Sequence, residues 1–473
     1  MPDIVMEPGL LLGVVFWWAL TQWLQWNRHR PHGCLARQRT IKTKARLVLP
    51  GLIQKPHCEC CAQDAQQAAL ARPLPPPRIV HVRGRPRRID TSGHYCPNER
   101  CGYYGWLGQG NVRANGHPNG RSWRQLECVA CGHFFLENHG TVFYGKAHAV
   151  ETMLRAIAAL AEGLGIRGVS RVFGVEAHTI LSWLEEAAEH AEAVSAILLR
   201  ELQIEQVQLD ELFALVGEFR SGRISEAQVI ERLARRPRWV WTAIDPLSKL
   251  WLHVAVGERS LAMAQQFVHQ LVQRLTGGCY PLFLSDGLKH YGTALLTHFG
   301  HWVQFPRRQA QGPTPKPRWC ALPHLRYAQV VKHCRRRRLV KLIQRVVFGG
   351  DNEIKGVLAA YGWTINTAFV ERLNLTLRQH VAALGRRVST LAKTEIGLLA
   401  QLHLFQLYYN FCLPHTSLPP ASRRDGSEAS ERSIPRGPGI TPAMAAGLTD
   451  HVWSLREVLL WRIPPWPQAA ALD

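Results

Sequence analysis

The sequence predicts a multidomain protein in which two small N-terminal modules, one organised by a metal and one helical, precede a larger α/β domain. Three observations support this prediction. The chain has 473 residues, which is enough for several domains. Two pairs of cysteines lie close together between residues 96 and 131. After about residue 203, strand-like apolar segments alternate with helix-like ones.

The amino-acid composition and the net charge indicate which kind of molecule the protein binds. Hydrophobic residues make up 46% of the chain, which excludes wholesale disorder. Lys and Arg number 57 against 35 Asp and Glu, so the net charge is +22 and the pI is near 9.9. A charge of this size attracts a polyanion, most commonly nucleic acid. The 12 cysteines are sparse and unevenly placed, which favours metal ligation and reduced thiols over a secreted disulfide scaffold.

Residues 1–80 form an N-terminal extension that ends in a Pro-rich linker. Its apolar run Gly9–Trp26 has 18 residues, which is borderline for a membrane span. Gln22 and Gln25 weaken its far end, and the positive segment that begins a signal peptide is missing. We therefore favour a packed helix or an unrepresentative N-terminal extension over a membrane segment and expect no stable membrane association. Cys58, Cys60 and Cys61 are either a second metal site or free thiols, since adjacent cysteines rarely all point at one ion.

Residues 81–95 form a basic arm. Pro86 prevents regular structure, so the backbone is expected to be extended. Arg83 and Arg85, with Gly84 between them, resemble the core of an AT-hook, whose arginines enter the narrow minor groove of A·T-rich DNA. A solvated basic linker is the alternative.

Residues 96–147 are predicted to be a zinc ribbon. Two cysteine knuckles, separated by a stretch rich in Gly and Asn, suit a closed tetrahedral structural site. The predicted zinc ligands are Cys96, Cys101, Cys128 and Cys131, with His94 and His133 as substitutes. A ribbon this small needs the metal to fold.

Residues 148–200 are predicted to form a helix-turn-helix DNA-binding domain. A helix is followed by a break at Gly174 and by a second helix from about Glu176. His178, Thr179 and Ser182 would lie on the exposed face of the second helix and reach a major groove. The alternative is an ordinary helical hairpin within a core.

Residues 203–420 are predicted to form an α/β domain. A strand at 207–216 contains Asp210, and a hairpin at 238–257 and a helix at 259–275 follow. A buried strand at 281–287 then ends in Asp286. This order of elements is that of an RNase H-like fold, also described as retroviral-integrase-like.

A third acid is expected on a late helix, and Glu371 is the best candidate. It shares a helical stripe with Asn374 and Arg378, beside a buried apolar stripe. Three carboxylates suit phosphodiester chemistry with two Mg²⁺ or Mn²⁺ ions, because such hard cations take oxygen ligands. Asp210 would bridge the two ions, while Asp286 and Glu371 would each hold one.

Two other acids near this site are predicted to have no catalytic role. Asp245 lies before a proline in the hairpin turn, where Asp is a normal turn former. Glu211 would point away from the site if Asp210 points in, because side chains alternate along a strand.

The segment between Asp286 and Glu371 is predicted to be a mainly helical insertion. It contains a basic Pro-rich loop at 306–318 and four arginines at 335–338, which are placed in a helix. Few acids lie near these arginines, so contact with DNA phosphates is favoured over a merely solvated face.

In combination, these motifs resemble DDE transposases of bacterial insertion sequences, most closely the insertion-sequence-one group. The stretch VERLNLTLRQHVAALGRR, with Glu371, Asn374 and Arg378, and the ending YYNFCLPHTSL at 408–418 support the resemblance. It implies binding of transposon ends, metal-dependent strand cleavage, and joining of the freed 3′-OH to target DNA. It further implies a homo-oligomer on double-stranded DNA, in the bacterial cytoplasm and associated with the nucleoid. Asn374 and Arg378 would be DNA-binding residues.

Two other classes of function remain open. One is a zinc-ribbon and helix-turn-helix DNA-binding regulator whose RNase H-like domain is inactive, and the other is a structure-specific nuclease. Residues 421–473 are predicted to be a C-terminal tail.

Overall fold

The computed structural model describes residues 75–79, 89–118, 122–217, 237–307, 314–336, 338–385, 392–418 and 439–465. The predictions for Gly9–Trp26, for Cys58, Cys60 and Cys61, and for Arg83 and Arg85 lie outside these residues. Within the described part of the chain, no helix combines the length and the apolar character that crossing a membrane requires. The chain divides into two compact units, with the boundary between Phe135 and Leu136.

The first unit contains a three-stranded sheet. Its strands are β1 (Val112–Ala114), β2 (Gln125–Cys128) and β3 (Phe134–Leu136), in the order β1-β2-β3. Strand β1 pairs antiparallel with β2, from Val112 opposite Cys128 to Ala114 opposite Leu126. The apolar cluster of this sheet consists of Val112, Leu126 and Phe135. A core this small gives little hydrophobic stabilisation, so other bonds must stabilise the unit.

The second unit begins with three helices: α1 (Val150–Ala161), α2 (Ile166–Phe173) and α3 (Ala177–Leu198). As predicted, Gly174 ends the middle helix, in a left-handed conformation with φ of 65°. Helix α3 then starts after only three residues and buries Ile180, Trp183 and Leu184.

A six-stranded mixed sheet forms the centre of the second unit, in the order β11-β10-β7-β4-β5-β6. Its strands are β4 (Gln206–Ala214), β5 (Arg238–Ile244), β6 (Trp251–Gly257), β7 (Leu282–Asp286), β10 (Arg326–Arg335) and β11 (Arg338–Phe348). Strands β4, β7 and β10 run parallel, and an antiparallel hairpin partner flanks them on each side. A separate two-stranded sheet pairs β8 (Gly300–Val303) with β9 (Arg318–Ala321).

Helices cover both faces of the six-stranded sheet, as alternation along its strands requires. They are α4 (Leu261–Val272), α5 (Lys289–His298), α6 (Asp351–Ala359), α7 (Ala368–His380) and α8 (Glu395–Leu407). On β4, Leu209 packs into a cluster with residues of α4 and α5, whereas Leu212 packs into a second cluster with residues of α7 and α8. This mixed α/β architecture is compatible with an RNase H-like fold.

The prediction of a mainly helical insertion with arginines 335–338 in a helix is wrong. Residues 326–348 form the antiparallel hairpin β10–β11, in which Arg335 pairs with Arg338 across the turn. β-branched residues are frequent in both strands, and they favour extended backbone. Arg336 turns the chain with φ of 48°, a conformation usually supplied by Gly or Asn.

The prediction of a C-terminal tail is also wrong for the residues that the structure describes. Helices α9 (Pro442–Ala445) and α10 (Leu455–Leu460) bury Ala443 and Val458 in the main apolar core. The backbone N–H of Trp453 donates to the carbonyl of Phe411 at 3.1 Å. Residues 439–463 therefore belong to the domain itself.

Candidate active site and candidate metal centre

Two acids meet where the parallel pairing between β4 and β7 ends. The parallel ladder between β4 and β7 reaches Leu209 opposite Ser285, so Asp210 and Asp286 are the next residues on neighbouring strands. Both line a cavity of ≈ 380 Å³. Asp286 is the last residue of β7, whereas β4 continues to Ala214, so the acids meet at the carboxyl end of β7, where α/β folds commonly hold reactive groups.

Glu371 lines the same cavity from the first turn of α7. Its Oε1 accepts a hydrogen bond of 2.6 Å from the Thr367 hydroxyl and forms an ion pair with Lys332 of β10. The Glu371 side chain is 44% exposed. The three acids named from the sequence thus face one cavity, with Glu371 on its solvent-exposed side.

Asp210 is held from two directions. The amide of Asn374 donates to Oδ2 at 2.7 Å, and the backbone N–H of Glu211 donates to Oδ1 at 2.9 Å. Asn374 is only 7% exposed, and the Thr242 hydroxyl donates to its amide oxygen at 3.4 Å. This burial favours a role for Asn374 in positioning Asp210, rather than the predicted contact with DNA.

Glu211 reaches the site that it was expected to avoid. It leaves β4 on the opposite face from Asp210, yet carboxylate oxygens of Asp210, Glu211 and Asp286 all lie within 4.8 Å of one another. Arg259 explains the arrangement: its guanidinium pairs with Oε2 of Glu211 at 2.9 Å and with Oδ2 of Asp286 at 3.2 Å. The Glu211 side chain is 0% exposed. Glu371 is not part of this closest group, because it points toward Lys332.

Burial and crowding shift the titration of these acids. Burial, followed by repulsion from Asp286, raises the pKa of Asp210 to about 7 and that of Glu211 to about 7. Burial and the charge of Glu211 raise the pKa of Tyr291. Such upward shifts are typical of carboxylates that are buried and that also repel one another. An all-oxygen donor set of this kind fits Mg²⁺ or Mn²⁺, either of which would relieve the repulsion.

The four predicted cysteines converge in the first unit. Their sulfurs all lie within 4.8 Å of one another, with 3.7 Å between Cys96 and Cys131 and 3.9 Å between Cys101 and Cys128. These distances are too long for disulfides, and all four thiols are free. A tetrahedron with Zn–S bonds of about 2.3 Å has S···S edges of about 3.8 Å, so the group has the dimensions of a zinc site.

Local structure holds the cysteine knuckles in place. The backbone N–H of Tyr103 donates to the Cys101 sulfur at 3.4 Å, and the Asn111 amide donates to the Cys128 sulfur at 3.4 Å. Gly132 turns the second knuckle with φ of 67°. The predicted substitutes His94 and His133 do not belong to the group.

The remaining predicted residues lie elsewhere in the described chain. On α3, His178 is exposed, while Thr179 and Ser182 are half-buried, and Ser182 donates to Glu186 at 3.1 Å. Arg378 is half-buried on α7. Asp245 is buried and accepts hydrogen bonds from the Leu247 backbone and from Ser248, so it is a turn residue, as predicted.

Sequence reasoning missed Arg259 and Lys332, the two cations that pair with the acids, and it misplaced Glu211. The signal for Glu211 was the carboxylate itself, which lies inside an apolar strand with no cation adjacent in the sequence. Such a residue needs a partner from elsewhere in the fold.

Comparisons with known proteins give little further information. No protein-family model matches the chain, and no curated protein matches it. Among solved structures, the chain is similar to the crystal structure of the Mos1 Strand Transfer Complex, with 13% identity and a TM-score of 0.14. The match covers 33% of this chain and 58% of that one. A TM-score of this size does not establish a shared fold.

Proposed function

We propose that the chain is a transposase that binds insertion-sequence ends and carries out metal-dependent DNA strand cleavage and strand transfer. The observation that carries this proposal is the approach of Asp210, Asp286 and Glu371 to one cavity of a mixed α/β domain. The basic character of the chain, at +22, supports a nucleic-acid substrate.

In this proposal the three acids hold two Mg²⁺ or Mn²⁺ ions. A pair of such ions activates the attacking oxygen and stabilises the leaving oxygen of a phosphodiester. Asp210, already oriented by Asn374, is close enough to Asp286 and Glu371 to be repelled by both and would contribute to both ion positions. Lys332 borders the cavity. It can leave its ion pair with Glu371 and pair instead with a DNA phosphate. Arg378, on the same helix as Glu371, is proposed to bind phosphate.

The N-terminal modules are proposed to recognise the transposon ends. Zn²⁺ on the four cysteines would stabilise a ribbon whose own apolar core has three residues. The α2–α3 pair would place the exposed His178 and the half-buried Thr179 and Ser182 toward a major groove. We also propose that the protein works as a homo-oligomer on double-stranded DNA in the bacterial cytoplasm.

The test is a strand-transfer assay with DNA carrying the terminal sequences that flank the gene, in Mg²⁺ or Mn²⁺. Asp210→Asn, Asp286→Asn and Glu371→Gln should each lower cleavage by about 100-fold or more, because loss of a metal ligand costs several kcal/mol. Each variant should still bind DNA. Asp351→Asn, an exposed acid on α6, is the matched control and should retain full activity.

Three outcomes would contradict the proposal. Full activity in all three variants would show that the site assignment is wrong. Specific DNA binding with no metal-dependent chemistry in the wild type would indicate a regulator with an inactive domain. The Lys332–Glu371 and Arg259–Asp286 pairs favour this second candidate, because they already neutralise two of the acids. Cleavage without joining of a 3′-OH would indicate a nuclease.

A further inference from the structure

The hairpin β10–β11 leaves the sheet at the carboxylate site. Strand β10 pairs with β7 only from Arg326 to Val330, and this last pair joins Val330 to Asp286. Pairing between β10 and β11 continues outward to the turn, where Arg335 lies opposite Arg338. The five residues beyond Val330 span about 17 Å at roughly 3.4 Å per residue. Val330, Val331 and Lys332 also line the cavity, so the two-stranded ribbon rises directly from its wall.

This ribbon is strongly and uniformly basic. Residues 326–348 contain eight Lys and Arg and no Asp or Glu. Beyond the pair of Val330 with Gln344, the basic side chains that the structure describes as exposed on the hairpin are Lys332, Arg335, Arg336, Arg338 and Lys341.

Cross-strand pairing places some of these charges against each other. Arg335 lies directly opposite Arg338 next to the turn. Like charges in directly opposed positions destabilise an antiparallel pair. A polyanion that lies along the ribbon would remove this cost, so the arrangement suits such a ligand.

The ribbon also exposes apolar side chains between its charges. Val340 is 67% exposed and Leu342 is 45% exposed. Methyl groups at this position can contact thymine methyls, and the major groove of B-DNA is wide enough for a two-stranded β-ribbon.

We propose that the β10–β11 ribbon docks in the major groove of duplex DNA next to the strand that enters the carboxylate cavity. This inference rests on the proposed function, because that function places the site of DNA strand cleavage at the carboxylate cavity. In this arrangement the hairpin arginines contact the phosphates that border the groove, and the exposed Val340 and Leu342 contact the edges of the bases.

The experiment measures the affinity of the protein for duplex DNA at several salt concentrations. It compares the wild type with the double variant Arg335→Gln/Arg336→Gln, called the hairpin variant. Each phosphate contact contributes about 0.9 to the slope of log K against log [salt], so the slope should fall by about 2. Lys355→Gln/Lys393→Gln removes two exposed cations from elsewhere in the chain and should leave the slope unchanged. Equal melting temperatures of both variants and the wild type would show that the hairpin variant is folded.

Guanine N7 lies in the major groove, so its protection from methylation by dimethyl sulfate shows whether the ribbon occupies that groove. The wild type should protect N7 positions beside the cleavage site, and the hairpin variant should lose that protection. An unchanged slope, protection that survives in the variant, or preferential binding of the ribbon to anionic vesicles would overturn the inference.

The two proposals can fail separately. Asp286→Asn should abolish cleavage yet keep the salt slope and N7 protection, because the ribbon is intact. If neither the wild type nor any variant cleaves DNA but the hairpin variant still lowers the slope, the ribbon binds DNA and the catalytic proposal is wrong. If Asp286→Asn abolishes cleavage while the hairpin variant binds like the wild type, the ribbon proposal is wrong.

Discussion

The amide nitrogen of Asn374 lies 2.7 Å from Oδ2 of Asp210, although the two residues are 164 positions apart in the chain. A residue of α7 therefore fixes the orientation of a carboxylate on the central strand. Because Asn374 is buried, its effect on DNA chemistry should be exerted through Asp210.

Asn374→Ala should slow cleavage by roughly 10- to 100-fold, because a hydrogen bond to a charged group contributes about 1.5–3 kcal/mol. The apparent affinity for DNA should change by less than twofold, as measured by fluorescence anisotropy. Thr376→Ala, on the same helix, is the control and should cleave normally. If the variant instead binds DNA weakly but cleaves at the normal rate, Asn374 contacts DNA directly, as predicted from the sequence.

Arg259→Gln should destabilise the second unit by about 3 kcal/mol, since it leaves the fully buried Glu211 carboxylate without its partner. Glu211→Gln/Arg259→Gln should recover most of that loss, because the buried charge of Glu211 is removed together with its partner. Urea unfolding of the two single variants and the double variant gives the coupling energy. Additive losses would show that the Arg259–Glu211 pair does not stabilise the fold.

The cysteine group should carry about one zinc per chain by elemental analysis, and Cys128→Ser should lose it. With the metal gone, the three-residue core of the first unit should be too small to remain folded. Cys320→Ser changes a free cysteine outside the group and should keep the zinc. Full zinc content in Cys128→Ser would mean that other residues bind the metal.

Stability should fall in mild acid because of two facing histidines. The rings of His298 on α5 and His269 on α4 are 5.2 Å apart, and burial followed by repulsion from His269 lowers the pKa of His298 to about 4. In the unfolded chain this pKa returns to about 6.5, so the unfolded state binds more protons between these values. Above pH 6.5 the His298 ring is neutral in both states and does not reduce the free energy of unfolding. As the pH falls to 4, this group lowers the free energy of unfolding by about 3 kcal/mol.

His298→Gln should flatten this pH dependence, whereas His301→Gln, at an exposed position of β8, should not. Unfolding in urea at pH 7, 5.5 and 4.5 measures the difference. Identical slopes for the wild type and His298→Gln would show that other groups cause the acid sensitivity.

The elements predicted best from the sequence are those with a strong local pattern. The strand containing Asp210, the buried strand ending in Asp286 and the helix of Glu371 all lie where apolar periodicity places them. The cysteine spacing likewise predicts a group that the structure brings together. In each case the signal lies within a few residues of the feature itself.

The errors arise where long-range contacts outweigh local preference. Arginine has a high helix propensity, and no Gly or Asn marks the turn at Arg336, so the local pattern of the β10–β11 hairpin favours a helix. Alternation correctly sends Glu211 to the other face of β4. It does not show that Arg259 pairs with both Glu211 and Asp286 and so brings the Glu211 carboxylate to the site.

The burial of Ala443 and Val458 also affects how the protein is made. The backbone N–H of Trp453 donates to the carbonyl of Phe411, and His190 on α3 hydrogen-bonds the carbonyl of Val458. The residues after 439 that pack into this core are all synthesised after residue 418. A nascent chain that has only reached residue 418 therefore exposes part of its interior. We expect the second unit to complete its core only after residues 439–463 have been synthesised, so that chains interrupted before them are prone to aggregate.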